Sequence, residues 1–67
     1  MKIYVNDKEH SFDCAGLTIN DLLQKLNMSC TGVVAELDGD VLNSKDFSNR
    51  SLSDGSKIEL IRIVGGG

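Results

Sequence analysis

Sixty-seven residues with a formal net charge of −3 make one small acidic domain, and a chain of this size buries only about 60% of its unfolded surface. It has little room for a deep active-site pocket, and its seven Lys and Arg are scattered, unlike the clustered basic footprint that nucleic acid requires. No apolar run approaches the roughly 20 residues of a membrane span, and Met1 to Asn6 has no secretory apolar core, so the expected compartment is the cytoplasm. The acidic balance suits a protein partner with a basic docking face, or serves solubility alone.

Met1 to Val5 alternates, with Ile3 and Val5 on one side and Lys2 and Tyr4 on the other, and predicts a strand. Asn6-Asp7-Lys8 is turn chemistry, since Asn and Asp tolerate positive φ. Glu9 to Asp13 is expected to return as a second strand anchored by Phe12. After the break at Ala15-Gly16, Thr18 fits a helix N-cap and Asp21 completes a capping box. Leu17 and Leu22 are spaced for a hydrophobic staple. Ile19, Leu22, Leu23 and Leu26 fall on one face of a helix that Asn27 stops. That stripe is read as a cover for a sheet, not as a cofactor site.

Met28 to Gly32 is a connector. Val33 to Leu37 alternates as a third strand, Asp38-Gly39 is a tight-turn signal, and Asp40 to Leu42 is a short return strand. Residues 43–53 are polar, with Phe47 and Leu52 as isolated apolar anchors. Asp54-Gly55 turns again, and Lys57 to Val64 is the last strand. Its dense apolar run predicts a central strand covered on both faces. The pattern is α+β, with one helix on one mixed sheet of four to five strands.

The chemistry-bearing candidates are few. Cys14 and Cys30 have no CxxC spacing, and with the single His10 they make no zinc set. They are read as reduced bystander thiols. No nucleophile–base pair, phosphate loop or metal cluster is evident, so an enzyme in its own right is not expected. The remaining candidate is Gly65-Gly66-Gly67, directly after the last strand. Glycine projects no side chain and adopts almost any backbone conformation, so such a tail can thread a narrow channel and present its carboxylate there. A frayed end or an expression scar is the alternative.

Two stretches weigh the balance: Val33 to Gly39, and Leu52 to Gly67 with its Asp-Gly turn, Ile-Glu-bearing strand and Val-Gly-Gly-Gly ending. With Ile3-Tyr4-Val5-Asn6 and Thr18 to Leu23 they resemble the sulfur-carrier family of thiamine biosynthesis, ThiS, over essentially the whole chain. Two departures are visible. Ser56 stands where the family often has an acidic residue, and the loop from Val41 to Phe47 lacks the family's common proline.

The resemblance implies a β-grasp (ubiquitin-like) fold over residues 1–63 and a flexible glycine tail over 64–67. It further implies that an E1-like adenylyltransferase of the ThiF type, using ATP, activates the Gly67 carboxylate. No cofactor is bound by the carrier itself. A persulfide donor converts the activated end to a thiocarboxylate, and a ThiG-type thiazole synthase takes the sulfur. Val64, Gly65 and Gly66 would form the thin approach, about 13–14 Å long with Gly67. Ile61, Ile63 and Arg62 are candidate docking residues. For Ile61 and Ile63 two readings stay open, an exposed patch or burial beneath residues 43–53. Arg62 either pairs with an acidic rim on a partner or is solvated. The small subunit of molybdopterin synthase shares this chemistry, and a ubiquitin-like modifier joined through Gly67 to target lysines shares its first step.

Overall fold

The computed structural model describes residues 1–63, so the expected flexible tail and the candidates Val64, Gly65, Gly66 and Gly67 lie outside the described residues. Strands β1 (Lys2–Val5) and β2 (Lys8–Ser11) form an antiparallel hairpin. Asn6 and Asp7 both take positive φ, 50° and 68°, as a two-residue turn matched to strand twist requires. Two turn residues suffice, so Lys8 joins β2 and the second strand is shorter and earlier than the expected span of 9–13. Past Ser11 the ladder continues through Met1 and Phe12 alone. The Phe12 amide donates to the Met1 carbonyl at 2.8 Å, and the terminal ammonium donates to the Phe12 carbonyl at 2.8 Å.

Strand β3 (Leu17–Thr18) runs directly into helix α1 (Ile19–Lys25). Both halves of the capping box form. The Asp21 amide donates to Thr18 Oγ1 at 3.1 Å, and the Thr18 amide donates to Asp21 Oδ2 at 3.1 Å. The first-turn amides of Ile19 and Asn20 have no partner within the helix. They donate to the carbonyls of Arg50 and Phe47, each at 3.1 Å. Asn27, at φ 56°, ends the helix in the left-handed conformation. Met28 and Asn27 then donate to the carbonyls of Leu23 and Gln24, the paired bonds of a Schellman ending.

The main sheet has five strands in the order β2-β1-β7-β4-β5, where β4 is Val33–Leu37, β5 Asp40–Leu42 and β7 Lys57–Arg62. Strand β7 lies in the middle, parallel to β1 and antiparallel to β4. Asp38 and Gly39, at φ 47° and 95°, make the second two-residue hairpin turn. Residues 43–53 are more ordered than a solvated loop. They hold a 3₁₀ turn (Ser44–Asp46) and strand β6 (Ser51–Leu52), which pairs with β3 as a second, two-stranded sheet. Phe47 is fully buried and Leu52 nearly so. These two anchors, with the carbonyls of Phe47 and Arg50, dock the segment on the start of the helix.

The core joins Ile3 and Val5 of β1, Val33, Ala35 and Leu37 of β4, and Ile58 and Leu60 of β7 to Ile19, Leu22 and Leu23 of α1. Leu17 before the cap and Leu22 inside the helix are both in this cluster, as the staple requires. Leu26 is only partly buried against it. Cys14 packs against the same cluster, Cys30 is exposed, and both are free thiols. One helix on a mixed five-stranded sheet is the α+β pattern expected from the sequence and the β-grasp arrangement that the resemblance implies. No helix among the described residues is long and apolar enough to cross a membrane.

Candidate functional site

Strand β7 carries the approach to the glycine tail, and three contacts fix its position. On the β1 side, backbone pairing covers only Tyr4 with Lys57 and Val5 with Ile58. The chain then turns away, and the Asn6 side chain takes over. Its Oδ1 accepts from the Leu60 amide at 2.8 Å, and its Nδ2 donates to the Leu60 carbonyl at 3.3 Å. One amide side chain thus does the work of the missing strand residue. On the β4 side, pairing runs from Leu37 with Ile58 to Val33 with Arg62. It closes with the Ile63 amide donating to the Gly32 carbonyl at 2.7 Å.

Gly32 adopts φ 73°, and an added Cβ would meet the Ile63 carbonyl oxygen at 3.4 Å. The backbone conformation at this position therefore favours glycine. Ile63, the last described residue, is tied to the body of the domain immediately before the tail begins. At the other end of β7, Gly55 takes φ 87° and Ser56 is buried. The Ser53 amide donates to Ser56 Oγ at 2.9 Å, and the Ser56 amide donates to the Ser53 carbonyl at 3.0 Å. Ser56 thereby closes its own turn.

Strand β7 is central but not covered on both faces, which corrects the expectation drawn from its apolar run. Ile58 and Leu60 face the helix and are buried, while Lys57, Glu59 and Ile61 are exposed. One helix covers one face only, and the β3–β6 segment docks on the helix start. Ile61 is 51% exposed and Ile63 57% exposed, so the open-patch reading holds and burial beneath residues 43–53 does not. Val34 lies directly across from Ile61 and is half-buried. Val41 of β5, in register with Glu36 of β4, is 70% exposed. Arg62 shares strand parity with Ile58 and Leu60 yet is exposed, and it has no salt-bridge partner among the described residues. Ile61, Arg62 and Ile63 therefore all stand accessible beside the tail.

Two positions of this site escaped the sequence reading. Asn6 was legible as a turn former only, because its bonds to Leu60 span 54 residues of sequence. Gly32 was read as part of a connector. A lone glycine just before a strand was the available signal, but its close approach to Ile63 is a tertiary fact.

The ThiS family model matches residues 2–67. A thiazole synthase of Paramagnetospirillum magneticum is 28% identical over 67 residues. That match takes in 100% of this chain but only 20% of the relative, so the chain spans about a fifth of that protein. The crystal structure of the thiamine biosynthesis protein ThiS from Geobacter metallireducens superposes with a TM-score of 0.85 at 32% identity, covering 100% of both chains. The solution structure of a thiamine biosynthesis protein from the same organism gives a TM-score of 0.78 at 33% identity, covering 100% of this chain and 88% of the other.

Proposed function

The chain belongs to the ThiS family, and from that premise we propose that it carries sulfur for the thiazole moiety of thiamine on the carboxyl group of Gly67. It acts in the cytoplasm as a protein co-substrate rather than as an enzyme. The observation that carries the reading is the end of β7: a strand clamped by Asn6 and Gly32 stands, in sequence, just before a glycine run. A rigid base beneath a thin tail suits delivery of one carboxyl group into a recessed site.

The chemistry is dictated by the state of that group. A terminal carboxylate has a pKa of about 3.3–3.7 and is ionised at neutral pH. An anionic carboxylate is a poor electrophile, so it must be activated first. Attack of the Gly67 carboxylate on the α-phosphorus of ATP, in a ThiF-type enzyme, releases pyrophosphate and leaves an acyl-adenylate. A persulfide sulfur then displaces AMP. Reduction of its S–S bond by a thiol leaves the thiocarboxylate, which a ThiG-type thiazole synthase consumes. The match to a thiazole synthase supports that last partner.

The domain contributes position. Docking through Ile61, Ile63 and Arg62 makes reaction at the tail effectively intramolecular. Val64, Gly65 and Gly66 keep the approach narrow.

Intact mass of untagged protein from thiamine-starved cells tests the reading. The expected species has one sulfur in place of one oxygen, mapped to Gly67. Unmodified mass after incubation with a ThiF-type enzyme, ATP and a persulfide donor would overturn it. Gly66→Val should block transfer while thermal stability stays nearly unchanged. Full activity of that variant would remove the narrow-channel element.

A further inference from the structure

The open face of the sheet is divided along β7. Toward the tail it is apolar, with Val34 opposite Ile61 and Ile63 one step beyond. Toward the Asp38-Gly39 turn it is acidic. Glu36 of β4 lies directly across from Glu59 of β7, both exposed. Like charges placed directly opposite one another on a sheet destabilise it. Neither carboxylate belongs to a salt bridge among the described residues, where the ion pairs are Lys2–Glu9 and Arg50–Asp40.

The two glutamates share a shallow groove of about 220 Å³ with Tyr4, Asp7, Asp38 and Lys57. Four carboxylates against one ammonium give this small area a formal charge of −3, equal to that of the whole chain. A fold that gains nothing from the Glu36–Glu59 pairing nevertheless holds it beside an exposed apolar patch.

We propose that this face docks a partner protein presenting one arginine beside an apolar side chain. The guanidinium inserts between Glu36 and Glu59, and the apolar group rests on Val34 and Ile61. A planar guanidinium suits the site for two reasons. It can bond both carboxylates through separate N–H groups, and it can stack on the half-buried Tyr4 ring. The fixed order along β7, acidic groove then apolar patch then Ile63, sets the direction in which the partner lies. The arginine binds at the end of β7 away from the tail, so the partner's reacting centre sits beyond Ile63. The inference rests on the carrier reading, with the adenylyltransferase as the partner.

Steady-state adenylation by a ThiF-type enzyme tests it, comparing wild type with the double variant Glu36→Gln/Glu59→Gln. The apparent KM for the carrier should rise by about tenfold or more with kcat unchanged. Wild-type KM should rise steeply with ionic strength, and that rise should flatten in the variant. Thermal stability should move the opposite way, with Tm equal to wild type or raised by about 1–4 °C as repulsion is relieved. A purely structural role for the glutamates predicts a lowered Tm alongside the weaker binding, and that outcome would overturn the proposal. An unchanged KM with a wild type that is adenylated normally would overturn it while leaving the carrier reading intact. A wild type that is never adenylated would overturn both.

Discussion

Ile58 and Ile61 carry the same side chain on the same strand and have opposite fates. Ile58 is 1% exposed and packs in the core beneath the helix, whereas Ile61 is 51% exposed on the open face. The difference between them is strand parity, since successive side chains point to opposite faces. Parity thereby divides the labour of the strand. The covered face supplies stability, and the open face, bearing apolar residues that contribute little to folding, remains available for recognition.

Substitutions can break that contrast. The largest expected effect on folding is Ile58→Ala. It should cost about 2–5 kcal/mol through lost burial and a cavity, against a total of roughly 3–10 kcal/mol for a chain of this size. Urea denaturation would measure it, and a cost below about 1 kcal/mol would mean that the core side of β7 is far looser than its burial indicates.

Gly32→Ala should come next. Forcing alanine to φ 73° against the Ile63 carbonyl costs about 1–2 kcal/mol. Amide exchange at Ile63 should accelerate more than exchange at Leu60, because Leu60 keeps its bond to Asn6. Equal acceleration at both amides would show that Gly32 supports the whole strand and not the tail's base in particular.

Thr18→Ala removes the N-cap acceptor and should cost about 1 kcal/mol. This change also carries a pH signature. The Thr18 backbone hydrogen bond, then the Thr18 side-chain bond, hold the Asp21 carboxyl below its ordinary value of 3.8, with Lys25 a smaller contributor. Because the folded-state value is the lower one, Asp21 contributes stability above about pH 3.8, and this is lost as pH falls through the folded-state value. The gap between wild type and Thr18→Ala should therefore narrow in acid. Thermal melts at pH 7 and pH 2.5 would reveal it, and a constant gap would refute the Thr18 side chain's share in holding Asp21 charged, since the backbone bond survives in the variant.

The smallest effect on stability sharpens the comparison most. Ile61→Ala should change folding by no more than about 0.5 kcal/mol while weakening partner docking, visible as a raised KM in adenylation with the fold intact. A stability loss matching that of Ile58→Ala would erase the distinction between the two faces.

Local chemistry made much of this fold legible in advance. The capping box at Thr18 and Asp21, the stop at Asn27 and the Asp38-Gly39 turn depend on residues close in sequence, and each forms where its residues stand. Alternation likewise identified the buried set Val33, Ala35 and Leu37. The second sheet was not legible, because β3 and β6 have two residues each, too short for any periodic signal, and are separated by the 32 residues from 19 to 50. Nor could the apolar density of β7 tell burial on two faces from burial on one plus exposed apolar residues on the other.

The sequence by itself thus determined the helix, its ends, the hairpin turns and a glycine run placed after the last strand. These are set by backbone preferences and contacts within a few residues. Only the tertiary structure decided that Asn6 would clamp Leu60, that Gly32 would hold Ile63, and that Glu36 would face Glu59 beside an exposed apolar patch. Each of these depends on which strands become neighbours and in what register. That choice is made by burying one common core, and no single segment encodes it.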